Sequence, residues 1–266
     1  MSKIEFEPTD NKVGCFIYTN LKEVKKDQID EIKKLLNKYG VLFFKNQSLS
    51  PEEYINFSSN FGTPAKYPML KPHKDFKDIY VIERKKTDTG KSFGEGPHTD
   101  SSYLESPPKF TFLQAVEVPE EEGKGNTLFY NQFLAYEALP EEIKQKIENL
   151  KGIFSSQGKI AQTRKLRMAD HGTSEIKEIK SEHKLVQSID GRKTIYCSPG
   201  HVVGIVNSNS EQEDLINFLS THQIKEAFSY SFGWKKGDIA LWSNRSMLHA
   251  ATAFNGDRKM FRITVQ

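Results

Sequence analysis

The amino-acid sequence predicts a mainly β protein, a double-sheet jelly roll buttressed by helices. Three observations carry this expectation. Helical periodicity is concentrated ahead of residue 61. From residue 79 onward, short runs rich in β-branched and aromatic residues recur. The two kinds of segment do not alternate in the regular order of a parallel βαβ sheet.

Each element has its own signal. Ile29, Ile32, Leu35, Leu36 and Tyr39 recur at helical spacing behind Asp27, the expected N-cap, and Gly40 ends the run. A short buried strand over residues 41–45 follows. Ser50-Pro51-Glu52-Glu53 is a capping box with proline at the first helical position, so a second helix runs to about Asn60. Strands are expected over residues 79–82, 110–118 and 127–130, and a helix opens at Pro140. Residues 157–183 are polar with few apolar anchors, and read as an insertion or lid within one domain spanning 1–266. Asp190-Gly191 marks a hairpin between residues 185–189 and 194–197. A helix over residues 211–222 precedes strands over 228–234, 239–242 and 260–265.

Composition narrows the function. With 38 basic and 35 acidic residues the net charge is +3. A nucleic-acid binder usually carries a basic stripe, whereas lysines here alternate with acids, so no nucleic-acid partner is expected. No run of 18 apolar residues occurs, so no membrane partner is expected either. Cys15 and Cys197 form neither a disulfide framework nor a C-x-x-C pair. A reducing cytoplasm suits such a chain. The expected partner is a small-molecule substrate, with room for a homo-oligomer.

Two H-x-D triplets occur, His73-Lys74-Asp75 and His98-Thr99-Asp100. On extended backbone, residues i and i+2 face the same way, so an imidazole and a carboxylate can take adjacent corners of one metal. A third ligand completes a two-histidine-one-carboxylate face, which suits Fe(II). Lysines 71, 74 and 77 crowd the first triplet and repel a cation. The second follows glycine-rich residues 94–96 and is the favoured one. Among third ligands, His171 and His183 lie in the polar insertion, His222 ends a helix, and His201 is a rival to His249. Strand parity on the last element favours His249. Arg258 and Arg262 share one face, with Phe261, Ile263 and Val265 on the other. Two arginines inside a sandwich need anions, and a dicarboxylate cosubstrate supplies them.

Three stretches then resemble the taurine dioxygenase/TfdA-like family of Fe(II)/2-oxoglutarate-dependent dioxygenases. They are residues 98–108 with a diproline at the end, residues 125–129 followed by 135–139, and residues 237–245 leading to His249 and Arg258. The resemblance implies a distorted double-stranded β-helix, a cupin-like jelly roll. It implies His98, Asp100 and His249 as iron ligands and Thr127 and Arg258 as 2-oxoglutarate contacts. Arg262 would lie near the chelating end of the cosubstrate and also contact substrate. Fe(II), 2-oxoglutarate and O2 would together oxidise a C–H bond of a small, anionic molecule, releasing succinate and CO2. Hydroxylation is the default outcome. Desaturation of an amino-acid-derived substrate, or a non-catalytic acid-binding jelly roll, are the alternatives. The pattern departs from taurine dioxygenase at the substrate, with Tyr67 in place of a sulfonate-binding histidine and Gly94 in place of an asparagine. Tyr67, Ser101 and Arg262 are therefore the expected substrate contacts.

Overall fold

The computed structural model describes residues 4–67, 70, 72–121, 123–161, 163, 177–208 and 210–266. The first half of the chain runs β1 (Glu5–Pro8), β2 (Cys15–Tyr18), α1 (Lys26–Tyr39), β3 (Val41–Phe44), α2 (Pro51–Ser59), β4 (Tyr80–Arg84), β5 (Phe110–Glu117) and β6 (Thr127–Asn131). The middle holds α3 (Gln132–Glu137), α4 (Glu141–Ile147), β7 (Lys151–Ser155), β8 (Lys180–Lys184), β9 (Val186–Ile189), β10 (Arg192–Ile195) and β11 (Val202–Ile205). The chain closes with α5 (Ser210–His222), β12 (Ser229–Phe232), β13 (Ile239–Ser243), β14 (Met247–Ala251) and β15 (Arg258–Val265).

Seven strands form the main sheet in the order β1-β2-β3-β13-β5-β15-β4, and β12-β6-β14 form a smaller sheet. Strand parity sorts the main sheet into two faces. Leu42, Phe44, Phe112, Leu241, Ile263 and Val265 pack outward against α1 and α2. Phe43, Leu113, Ala240, Trp242 and Met260 pack inward against Phe129 and Phe232 of the smaller sheet. This is the jelly-roll sandwich expected from the sequence. Phe43 and Phe232 stack at 4.3 Å between the sheets. A third apolar cluster lies under α3, α4 and α5, around Phe154, Leu185 and Tyr196.

Local chemistry explains most element ends. Ser50 Oγ accepts from Glu53 N at 3.2 Å, and Glu53 Oε2 accepts from Ser50 N at 2.7 Å, so the expected capping box closes. Gly40 takes φ 80 and its N–H closes α1 onto Leu36 O at 2.7 Å. Asp190 and Gly191, at φ 48 and 80, make the two-residue turn between β9 and β10.

One expectation is corrected, and two strands are added to those expected. The N-cap of α1 is Lys25, whose N–H donates to Gln28 Oε1 at 3.0 Å. Asp27 lies within the first turn, where its charge favours the helix dipole. The polar stretch expected as an insertion over 157–183 ends in strand β8, paired along its length with β7. Its sequence, KSEHK, alternates exposed and half-buried polar residues, so it offers no apolar period to read. Residues 162 and 164–176 of that stretch lie outside the described residues. Finally, His249 stands on β14, a strand of the opposite sheet that the sequence reading did not mark.

Candidate active site

The site lies between the two sheets, where β14 meets the loop ahead of β5. His98 and His249 exchange both backbone hydrogen bonds, His98 N to His249 O at 3.0 Å and His249 N to His98 O at 2.8 Å. Two histidines 151 positions apart are thus fixed as an antiparallel bridge. Their rings lie 4.3 Å apart. His98 Nδ1 is held by Gly96 O at 2.9 Å, which leaves Nε2 to face Asp100. The ring of His249 is held instead by aromatic packing, 4.6 Å from Trp242 and 6.4 Å from Phe129.

Asp100 Oδ1 sits 3.8 Å from His98 Nε2 and 3.6 Å from His249 Nε2. One donor atom from each of the three residues lies within 4.8 Å of the others, close enough for a single ion to touch all three. All three side chains are buried. Two imidazoles and one carboxylate on one side of an ion leave its other side open, a donor set that fits Fe(II).

Electrostatics agree with that reading. Burial alone would raise the Asp100 carboxyl, but Arg262 Nη2 at 3.0 Å and the neighbouring imidazoles hold it well below the carboxylate range. Burial, with help from His98 and Arg262, pulls His249 down to about 3. At neutral pH the site therefore holds an ionised carboxylate and a neutral His249, the forms that bind metal.

The cavity beside the triad is lined by Thr127, Arg258 and Arg262 and walled by Ile82, Phe93, Leu113 and Trp242. Arg258 and Arg262 are both buried, on the inner face that strand parity assigned them. Arg262 Nη2 is paired with Asp100, while its Nε has no hydrogen-bond partner among the described residues, so one edge of a buried cation is left for an anion. Thr127 Oγ1 accepts from Trp234 Nε1 at 3.0 Å. That bond leaves the threonine's own proton free for the cavity.

Of the expected substrate contacts, Tyr67 is half-buried, and its ring lies 4.5 Å from the Arg262 guanidinium. Its backbone N–H donates to Tyr80 Oη at 2.8 Å, which ties the Tyr67 loop to β4. Ser101 follows Asp100 with φ 50, and its buried hydroxyl has no hydrogen-bond partner among the described residues. Gly94 lines the cavity at φ 80, and a Cβ there would stand 3.5 Å from His98 Cε1.

The rival ligands fall elsewhere. His73 packs on Phe76 and Phe261, and Phe261 belongs to the outer face of the main sheet. His183 Nε2 meets Leu104 O and His222 Nε2 meets Ala135 O. His171 lies outside the described residues. His201 comes nearest, its ring 6.1 Å from that of His98, but Ser102 Oγ holds its Nδ1 at 3.0 Å, and it stands outside the triad. Sequence reading missed Thr111, whose hydroxyl donates to Asp100 Oδ2 at 2.6 Å, and Asn244 behind it. The available signal was a threonine inside the strand-like run over 110–118 and an asparagine just past the end of the next one.

Comparison with known proteins agrees with this geometry. The family model described as "Taurine catabolism dioxygenase TauD, TfdA family" matches residues 5–264. An alkylsulfatase of Acinetobacter baylyi is 29% identical, covering 91% of this chain and 78% of that one. The alpha-ketoglutarate-dependent 2,4-dichlorophenoxyacetate dioxygenase of Cupriavidus pinatubonensis is 26% identical, covering 86% and 84%. The crystal structure of a taurine dioxygenase from Burkholderia xenovorans superposes with a TM-score of 0.81 at 25% identity, covering 98% of this chain and 90% of that one. Fe(II), 2-oxoglutarate and O2 are the cofactor and cosubstrates of this group, and the His98–Asp100–His249 triad fits the metal. The fold, the triad and a match over nearly the whole chain together make this protein a member of the TauD/TfdA family of 2-oxoglutarate-dependent dioxygenases.

Proposed function

We propose that this enzyme hydroxylates a C–H bond of a small organic anion at the His98–Asp100–His249 centre. In this reading Thr127 and Arg258 hold 2-oxoglutarate, and Arg262, Tyr67 and Ser101 face the substrate. One observation carries the anionic character of the substrate, the charge balance of the cavity. Its lining carries two guanidinium groups and one carboxylate. Metal-bound imidazoles are neutral. A divalent iron brings the total to three positive charges, and a dianionic cosubstrate leaves one. A monoanionic substrate closes the count, and a buried uncompensated charge is expensive.

The remaining parts follow from the chain's own groups. Bound Fe(II), with 2-oxoglutarate and O2, supplies an oxidant able to break a C–H bond while the cosubstrate becomes succinate and CO2. Arg258 offers a planar fork matched to a carboxylate, and Thr127 adds the hydroxyl proton left free by Trp234. The Tyr67 ring lies 4.5 Å from the Arg262 guanidinium and makes a cation–π contact with it. Ile82, Phe93, Leu113 and Trp242 keep the cavity poor in water. Relatives named for sulfate esters, sulfonates and an aryloxyacetate all act on anions, which supports the same class here. The near-balanced net charge supports a small molecule over a nucleic acid. Among the described residues no helix is long and apolar enough to cross a membrane. We place the enzyme in the cytoplasm, as one domain over 1–266.

The test is a panel of small sulfonates, sulfate esters, carboxylates and amino acids, scored for stimulated succinate formation with Fe(II), ascorbate and 2-oxoglutarate. Anionic members should stimulate turnover, and mass spectrometry should find one added oxygen in the primary product. A product short of two hydrogens would replace hydroxylation with desaturation. No ferrous affinity and no 2-oxoglutarate turnover on any small acid would remove the reading altogether.

A further inference from the structure

We propose that Thr111, oriented by Asn244 and Trp242, is a positioning residue that keeps Asp100 a one-oxygen ligand of the metal. The proposal rests on the metal-centre reading above. Its basis is a buried hydrogen-bond relay. Trp242 Nε1 donates to Asn244 Oδ1 at 3.1 Å. Asn244 Nδ2 donates to Thr111 Oγ1 at 2.8 Å. Thr111 Oγ1 donates to Asp100 Oδ2 at 2.6 Å. All four side chains are buried, with Thr111 at 0% exposure and Asp100 at 3%.

The direction of this relay is fixed at both ends. An indole N–H can only donate, and an ionised carboxylate can only accept. Between them the Asn244 amide must present its oxygen to Trp242 and its nitrogen to Thr111. The Thr111 hydroxyl then has one proton, and that proton goes to Asp100. The backbone holds the same order. Trp242 and Thr111 are cross-strand partners on β13 and β5. Asn244 N donates to Lys109 O at 2.9 Å, and its carbonyl accepts from Thr99 Oγ1 at 2.6 Å. The relay therefore links two neighbouring strands of the main sheet and returns to the residue between His98 and Asp100.

Its chemical consequence concerns the coordination number. With Oδ2 engaged by Thr111, Oδ1 is the oxygen that faces both histidines and Arg262. Two imidazoles and one oxygen leave three positions on a six-coordinate ion. Two oxygens would leave only two, too few for a chelating cosubstrate and O2 together. Without Thr111's proton, Oδ2 is an unsatisfied buried oxygen whose nearest remedy is the metal.

The test compares Thr111→Val and Thr111→Ser in the full chain, each loaded anaerobically. Three quantities are read: Mn(II) affinity by calorimetry, thermal stability of the metal-free protein, and the visible charge-transfer band of the Fe(II)–2-oxoglutarate complex. Valine keeps the volume and removes the proton, while serine keeps the proton. The expected result is a metal affinity about 10 to 100-fold lower in Thr111→Val, the range for lost outer-shell partners. Its charge-transfer band should be weakened or shifted, and Thr111→Ser should restore both. If Thr111→Val does not fold, Thr111→Ala carries the comparison on the same readouts. A folded valine or alanine variant with wild-type Mn(II) affinity and an unchanged band would overturn the proposal. So would a serine variant as impaired as valine. Failure of the wild type to bind Mn(II) would refute the metal centre itself, which keeps the two readings distinguishable.

Discussion

Replacing Arg262 with leucine should destabilise the metal-free enzyme and invert its response to acid. Arg262 is 4% exposed and its Nη2 stands 3.0 Å from Asp100 Oδ1. Removing one partner of a buried ion pair costs about 3–5 kcal/mol, because the other charge is left in a poor solvent. A second route gives a similar ceiling. Asp100 can escape by taking a proton, and from its ordinary value of 3.8 to pH 7 that costs about 4 kcal/mol at 1.36 kcal/mol per unit. For a chain of this size, that is a fall of about 10 °C in Tm. The sign with pH separates the variant from ordinary packing loss. In the wild type Asp100 is held below 3.8, so its contribution is present above that value and is lost only as pH falls further, through the lower folded value. In Arg262→Leu the folded carboxyl rises above 3.8, so the folded state binds more protons than the unfolded one. The penalty should then shrink between pH 7 and 4. Urea denaturation of both proteins in chelator, at half-unit steps over that range, reads the effect directly. Saturating Mn(II) should narrow the gap at pH 7, since a divalent cation supplies the missing positive charge. A variant within 1 kcal/mol of wild type, or one with a parallel pH profile, would refute the reasoning.

Three further outcomes are expected. His98→Ala and Asp100→Ala should each abolish Mn(II) binding by calorimetry and 2-oxoglutarate-dependent succinate formation, while circular dichroism stays unchanged. Arg258→Lys should raise the apparent Kd for 2-oxoglutarate about 10 to 100-fold through loss of the bidentate fork, and leave Mn(II) affinity within about threefold. Because His249 is pulled down to about 3 from 6.5, it must take up a proton on unfolding at mildly acid pH. Wild-type metal-free protein should therefore lose stability as pH falls from 6.5 toward 3, by up to about 1.4 kcal/mol per unit from this residue, and His249→Gln should flatten that slope in a urea series.

Much of the site was legible in the sequence because it obeys short-range rules. The triplet His98-Thr99-Asp100 places two ligands on one face by strand parity, and the same parity put Arg258 and Arg262 inward, where the structure has them. The capping box at Ser50 and the turn at Asp190-Gly191 are equally local. What escaped depends on pairing between distant strands. His249 was assigned to the site without its strand, since Met247-Leu248-His249-Ala250-Ala251 is apolar throughout and carries no alternation to mark it. Burial on both faces removes that alternation, and β14 is buried at four of its five positions. β8 escaped for the opposite reason, having no apolar residue. Thr111 and Asn244 escaped because their role is a contact across 133 positions, which no local pattern encodes.

In the proposed function, metal, cosubstrate and substrate roles converge on the strand that carries Arg262. Arg262 faces Asp100 at 3.0 Å on one side and lies against Tyr67 on the other, so it touches both the proposed metal ligand and the proposed substrate loop. The guanidinium is the counter-ion that keeps Asp100 ionised. Once a divalent ion takes over that role at Oδ1, the buried arginine's positive charge needs a new partner. Its Nε has no hydrogen-bond partner among the described residues, and the cavity it lines also carries the second cation, Arg258. In the proposed reading, metal loading would turn the Arg262–Asp100 ion pair into a site for an anion. That coupling accounts for two otherwise costly features, a pair of arginines inside a sandwich and a carboxylate held ionised in a buried site. It also explains why the third charge of the cavity is left to the substrate, since an additional acidic residue on the lining would quench the site before any anion arrived.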